Sequence, residues 1–346
     1  MLAVSRELKI DKSPKYLHPL SVAPMMDRTD RHCRYFLRQI SRRTLLYTEM
    51  VTSMAILNGD KQKLLGFDQS EHPLALQIGG DNPSDLAKCA QIAEEFGYDE
   101  VNLNVGCPSS RVQSGNFGAC LMLQPEHVAD CIAAMIGATK LPVTIKHRIG
   151  VDEVDSYEAL AKFVSIVSQT GCHRFSVHAR KAWLQGLSPK ENREIPPLRY
   201  DLVHQLKQDF PQLSIEINGG FTSLEQVQTQ LQSVDAVMIG RAAYDNPYLL
   251  ALADRQIYGE STPIPSRDRI VTAMLPYIDR WVSSGGRLNN ITRHMLQLFH
   301  GQPGSRIWRR VITEQSVLPG AGAEIVVRSL AEIAQAKSQI DPRLGT

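Results

Sequence analysis

The chain has 346 residues, 38 Lys+Arg against 36 Asp+Glu, a formal net charge of +2 and a hydrophobic fraction of 43%. That composition belongs to an ordinary globular protein and excludes a disordered or fibrous chain. No apolar run reaches the roughly 18 residues of a membrane span, so no membrane association is expected. The first 18 residues carry Arg6, Glu7, Lys9, Asp11, Lys12 and Lys15 and no apolar stretch of a secretory leader, so a cytoplasmic location is expected. Cysteines at 33, 89, 107, 120, 131 and 172 form no C-x-x-C pair and no zinc-finger spacing. No metal is therefore expected, and each Cys reads by default as a small buried hydrophobe.

In chain order, a polar extension over 1–18 precedes eight short apolar runs: Leu20–Met25, Leu45–Met50, Leu74–Ile78, Glu100–Val105, Val143–Arg148, Arg174–Ala179, Ser214–Asn218 and Asp235–Gly240. Helix-like segments lie between most of them, at Asp30–Ile40, Pro83–Phe96, Pro125–Ala138, Ser156–Thr170, Leu198–Asp209 and Ser223–Leu231. Strands alternating with helices imply a parallel sheet. Eight units in about 250 residues match a (β/α)8 TIM barrel over 19–257. An open doubly wound sheet is the alternative, but G-x-G-x-x-G is absent.

The strands carry a second pattern with period two. Thr144, Lys146 and Arg148 share one face, as do Arg174, Ser176, His178 and Arg180; Asn102 and Asn104; and Glu216 and Asn218. The opposite faces are apolar. In a barrel the apolar face packs on the helices, and polar strand ends gather at the C-terminal mouth, where barrel active sites are built.

Gly259, Pro263 and Pro265 mark a boundary near residue 260. Beyond it Ile270, Met274, Tyr277 and Trp281 fall on one helical face, followed by helix-like pieces at Ile291–Phe299, Ser305–Val317 and Ala323–Lys337. A small helical bundle over 267–338 is expected, with no sequence repeat. Residues 256–346 hold 11 Lys+Arg, ten of them Arg, against 7 Asp+Glu. The near-neutral total thus conceals a basic tail and a weakly acidic barrel.

Three places invite chemistry. After the fourth strand, Asn102-Leu103-Asn104-Val105-Gly106-Cys107-Pro108-Ser109 opens a connection running to about Gln124. Loops this long are usually functional. A thiol with an ordinary pKa of about 8.5 is protonated at neutral pH and can act as a general acid, or attack if a base activates it; a packed loop Cys is the bland alternative. Asn218-Gly219-Gly220 and Gly240-Arg241 end the last two strands, where barrels commonly hold a phosphate. Lys146 could form a Schiff base, lie over a cofactor ring, or pair with Glu49 or Glu216. His178 could be a phosphate or ring ligand, or a satisfied core histidine.

Taken together, these segments resemble the tRNA-dihydrouridine synthases, specifically their A subfamily. The resemblance rests on Ala23-Pro24-Met25-Met26-Asp27, Leu76-Gln77-Ile78-Gly79-Gly80, Asn102 to Ser109, Ile145-Lys146-His147-Arg148, Val177-His178-Ala179-Arg180, Ile217-Asn218-Gly219-Gly220 and Ile239-Gly240-Arg241. Ser188 to Pro197 is similar to the A-subfamily signature. The likeness spans roughly 15–340 and is tightest over 20–250.

It implies an FMN-bound barrel that reduces the uracil C5–C6 bond in the tRNA D-loop, at positions 20 and 20a, with NADPH as reductant. Reduced flavin passes hydride to C6, and Cys107 stands where the family places the acid that protonates C5. Pro24, Met25 and Met26 match the flavin-lining segment, and Gln77 and Lys146 its ring contacts. His178, Asn218, Gly219, Gly220, Gly240 and Arg241 match the positions around the flavin phosphate. Asn104 matches a contact to the target nucleotide. A uracil must be drawn out of folded tRNA to reach the mouth. Lys181, Lys190 and Arg193 of the loop after the sixth strand, and Arg306, Arg309 and Arg310 of the tail, are the candidate backbone contacts. A small enone or free pyrimidine is the alternative substrate, a non-catalytic RNA-binding barrel a further one. Monomer is the default state.

Overall fold

The computed structural model describes residues 18–340. Of the expected polar extension, residues 1–17 lie outside the described residues. Eight parallel strands form the frame: β1 (Leu20–Val22), β2 (Leu45–Tyr47), β3 (Leu74–Gly79), β4 (Glu100–Val105), β5 (Val143–Arg148), β6 (Arg174–His178), β7 (Ser214–Asn218) and β8 (Ala236–Ile239). Each pairs with its neighbour in sequence, and β1 also pairs with β8, which closes the ring. The TIM barrel is therefore realised, and the open sheet is ruled out. A two-residue strand, Val51–Thr52, adds to the far end of β3.

Strands one, two and eight are shorter than the apolar runs that mark them. The run Leu20–Met25 stops pairing after Val22 because Pro24 has no N–H to give a ladder. Freed from the sheet, Pro24–Met26 leads from the end of β1 into a turn closed by the Thr29 N–H on the Met25 carbonyl at 2.9 Å. Helices start where the sequence supplies caps. The Asn82 side chain caps Pro83–Phe96, Ser156 caps Tyr157–Ser168, and Ser266 caps Arg267–Ser283.

Alternation sorts the strand residues as expected. Leu103, Ile145, Phe175, Val177, Ile215 and Ile217 point outward and are fully buried under helix residues such as Ala90, Ile132 and Val164. Burying such a side chain contributes about 1.5–3 kcal/mol. Cys33, Cys89, Cys131 and Cys172 belong to this apolar layer, whereas Cys107 and Cys120 are half-buried.

The inward residues form layers set by register. Gln77 lies beside Asn102, Asn102 beside Thr144, Asn104 beside Lys146, Arg148 beside His178, and His178 beside Asn218. Deep in the barrel the polar groups bond one another. Arg174 bridges Glu100 at 2.9 Å and Glu216 at 2.7 Å. Tyr47, Thr144, Ser21 and Ser176 complete the carboxylates' hydrogen bonds.

After the barrel, helices Arg267–Ser283, Leu288–Met295, Ser305–Gln315 and Ala323–Ile340 follow. Their apolar faces, including Ile270, Met274, Ile291, Met295, Trp308 and Val326, are continuous with the barrel's outer core. The first two dock against the helix Arg31–Arg38, and the last two pack on them. Tyr277 stacks on Tyr35 with centroids 3.9 Å apart, and its hydroxyl lies 2.7 Å from His32 Nδ1. Arg293 and His294 both reach Asp30, the cap of that barrel helix.

Candidate active site

Strand ends β3 to β7 converge on the mouth and bring the expected polar residues together. A hydrogen-bonded row runs upward from the interior. Thr144 donates to Glu100, Asn102 to Thr144, Gln77 to Asn102, and Asn104 to Gln77, the last three at 2.8 Å. Gln77 keeps one amide hydrogen and one lone pair in reserve. Asn104 sits at the top of the row. Its Oδ1 accepts the N–H of Gly106 at 3.2 Å and of Cys107 at 3.1 Å, so it fixes the turn that presents the thiol. One Nδ2 hydrogen of Asn104 remains for a ligand.

The Cys107 loop is more ordered than its length suggests. It contains a helical turn, Ser110–Gln113, and a tighter one, Gly118–Leu123. Gly118 is required there. Its φ is +80°, and a Cβ would stand 2.6 Å from the Cys107 carbonyl oxygen. That close approach lets the Ala119 N–H bond the same carbonyl at 2.9 Å. Cys107 is thus held from both sides.

Opposite it, Lys146 projects from β5 and gives one hydrogen bond to Asn218 Oδ1 at 3.2 Å. Neither suggested carboxylate pairs with it. Glu216 is occupied by Arg174, and Glu49 accepts the N–H of Asp27 at the mouth. Burial, then the charge of Arg148, holds the Lys146 ammonium down to about 8. His178 follows the same logic. Burial, followed by Arg148, Lys146, Arg180 and Arg193, keeps its imidazole well below its usual value and so neutral.

Beyond His178 the turns after β7 and β8 meet. Gly219 and Gly220 adopt φ of +134° and +76°. The Tyr200 hydroxyl fixes the Gly219 carbonyl at 2.5 Å. Among the described residues, no partner takes the N–H groups of Gly219, Gly220, Gly240 or Arg241. Four backbone donors therefore stand unspent beside a neutral imidazole and a cluster of cations. Arg241 itself pairs with Glu194 at 2.7 Å, on the loop after β6. Orphan donors and surplus positive charge suit a phosphate group.

The dihydrouridine synthase family model matches residues 21–335. A tRNA-dihydrouridine(20/20a) synthase of Synechocystis is 63% identical over 314 residues, 91% of this chain and 94% of that one. The protein of that name from Vibrio cholerae is 58% identical, covering 91% and 96%. Its Escherichia coli K12 namesake is 56% identical, covering 91% of each. This chain belongs to the dihydrouridine synthase family. Among solved structures, a 2-naphthoyl-CoA reductase shares the barrel with a TM-score of 0.54 at 10% identity, over 71% of this chain and 51% of that one.

Set against that family, the remaining expected residues distribute as follows. Pro24 and Met25 are half-buried at the mouth, and Met26 is 57% exposed. Lys190 and Arg193 are exposed on the loop after β6, and Lys181 lies 4.1 Å over the Trp183 ring. Arg306, Arg309 and Arg310 lie on one exposed helix face with Thr313 and Glu314, while Trp308 between them is fully buried and donates to the Met295 carbonyl. Among the described residues no group of His, Cys, Asp and Glu could hold a metal, and no helix is long and apolar enough to cross a membrane.

Three organising residues escape a reading of the sequence. Asn192 is fully buried in the loop after β6, where its side chain closes the loop on Trp183 and Leu187. Arg148 and Gln113 each reach two loops at once. Only the position of Arg148 on the inward face of β5 hints at this; Gln113 gives no signal.

Proposed function

We propose that this dihydrouridine synthase reduces the C5–C6 double bond of uridine at D-loop positions 20 and 20a of tRNA, with FMN as its flavin and NADPH as reductant. The positions follow the names of relatives more than half identical over nine-tenths of the chain. The observation that carries the chemistry is the mouth itself, where Asn104 fixes the Cys107 turn and unspent donors and cations gather at the ends of the other strands. FMN fits these groups. Gly219, Gly220, Gly240 and Arg241 offer four free N–H groups to its phosphate, with His178 beside them. Lys146 and Gln77 retain donors for its ring. Bound there, FMN supplies the hydride that adds to uracil C6.

The chain's own residues do the rest. The Cys107 thiol delivers the proton to C5, and its thiolate is reprotonated from solvent, so one hydride and one proton saturate the bond. Lys146 places a buried positive charge where negative charge gathers. The remaining Asn104 N–H orients the base. Lys181, Lys190 and Arg193 at the rim, and Arg306, Arg309 and Arg310 on the tail, hold phosphates of a tRNA whose target base has been drawn out of its stack. The division of labour is a catalytic barrel over 19–257 and an RNA-binding bundle over 267–338, acting as a cytoplasmic monomer.

The test incubates purified protein with unmodified tRNA and NADPH, maps dihydrouridine along the tRNA, and reads flavin released on denaturation. Product at 20 and 20a with FMN released is expected. A flavin-free protein, or product confined to other positions, overturns the reading.

A further inference from the structure

The loop that carries Cys107 and the loop that carries Lys190 and Arg193 come from different βα units and share no strand pairing. Two side chains nevertheless donate to both. Arg148 is 3% exposed, and among the described residues it has no carboxylate partner. Its Nε donates to the Gly106 carbonyl at 2.9 Å, one residue before the thiol. Its Nη1 donates to the carbonyls of Lys181 and Asn192, both at 3.0 Å, near the start of the second loop and in its short helical turn. Gln113 repeats the pattern from the other side. Its Nε2 donates to Pro108 O and to Leu184 O, each at 2.9 Å. A buried guanidinium is costly unless its donors are satisfied. Here carbonyls take three of its five N–H groups, and those carbonyls are present only when both loops are in place.

We propose that Arg148 and Gln113 are positioning residues that lock the Cys107 loop to the loop after β6, so that the acid stands in register only when the RNA-facing loop does. The inference rests on the proposed activity for its consequence, but the coupling itself is a property of the fold. Each clamp is made of neutral carbonyl acceptors, so losing one leaves no stranded charge on the loops. The loops should loosen together, and the main loss should fall on proton delivery. Displacing a reacting group by about 1 Å costs on the order of 100-fold in rate. Losing one such hydrogen bond raises local opening by about tenfold.

The experiment compares the full chain with Gln113→Ala and Arg148→Lys by amide hydrogen exchange, together with turnover on unmodified tRNA. Exchange should rise about tenfold in 106–118 and in 181–193 in each single variant, with helices such as Tyr200–Asp209 unchanged. The maximal rate of dihydrouridine formation should fall by on the order of 10- to 100-fold while KM for tRNA stays within about threefold. Faster exchange confined to the substituted loop overturns the coupling, as does unchanged exchange in both. A rise in KM with an unchanged maximal rate overturns the positioning role. Should Arg148→Lys lose its flavin or unfold, Gln113→Ala decides. If the unaltered protein forms no dihydrouridine, the functional reading fails, and exchange alone still decides the coupling.

Discussion

The interior and the mouth of this barrel are built from the same residue types and treat charge in opposite ways. Below, Arg174 lies within 3 Å of the carboxyls of both Glu100 and Glu216, and burial pushes the Glu100 carboxyl up to about 8. Above, half-buried Lys146 and buried Arg148 bond only neutral oxygens. A paired interior fixes the shape of the barrel. An unpaired mouth stores electrostatic free energy that an anionic ligand can release. Register sets Lys146 level with Ser176 and Glu216, and Arg148 level with His178 and Asn218, so the inward residue at each register position decides which role it has.

The largest expected effect tests the mouth. Cys107→Ala should leave the flavin bound and slow uridine reduction by on the order of 10²–10⁴-fold, the range of a lost general acid. A single-turnover measurement of reduced enzyme with tRNA reads it, and full-rate turnover would remove Cys107 from the mechanism. Next is the interior. Arg174→Met strands Glu100 and Glu216 together in the core. Breaking a buried pair from one side costs about 3–5 kcal/mol, so urea denaturation should show a loss of that size with no specific change at the mouth. A loss under about 1 kcal/mol would mean that interior and mouth are not so different after all.

Much of this contrast is legible in the amino-acid sequence. Eight apolar runs become eight strands because each ends in turn residues and keeps period two. The inward polar row Asn102, Asn104, Lys146, His178 and Asn218 follows directly from that alternation. What the sequence does not disclose is which polar residue meets which. Lys146 could pair with Glu216 by type and face, but register sets Arg174 and Ser176 beside β7, and the carboxylate goes to them. Asn104 shows a similar gap. Its motif position implies a nucleotide contact, and the structure adds that its carbonyl already holds the Cys107 turn. Gln113 acts across two loops and Asn192 across one loop's own turns, and such distances leave no trace in local spacing.

The third expectation turns on pH. Burial and Arg148 depress the Lys146 ammonium to about 8. Below that pH the folded and unfolded chains both hold the proton, and the cost of the buried charge is present in full. As pH rises from about 8 towards the ordinary lysine value, the unfolded chain holds more protons, so this contribution to stability improves. Function moves the other way, because the mouth loses a positive charge. Titrating FMN into flavin-free protein should show affinity falling as pH is raised through about 8. Lys146→Met should bind more weakly at pH 7 and lack that limb. A variant whose pH profile matched the unaltered protein would place the charge elsewhere, with Arg148 and Arg193 the next candidates.

The smallest effect is expected where cations are neither buried nor paired. Arg306, Arg309 and Arg310 lie on the solvent face of Ser305–Gln315, and their helix is anchored by Trp308, Val311 and Ile312 on the other side. Exposed charges are screened, so each contributes little to folding, and substituting them should leave the melting temperature unchanged. Their contribution to RNA binding enters through released counterions. Replacing one with Gln should weaken tRNA uniformly and lower the slope of log affinity against log salt by about 0.7–0.9. The same substitution at Arg193 should change the slope comparably and also slow turnover, because that loop is clamped to Cys107 and the tail is not. Equal slope changes with a rate effect at Arg193 alone would separate a rim that positions the base from a tail that only holds the backbone. A tail triple variant with an unaltered salt slope would move the RNA path off this face and leave the loop after β6 as its main contact.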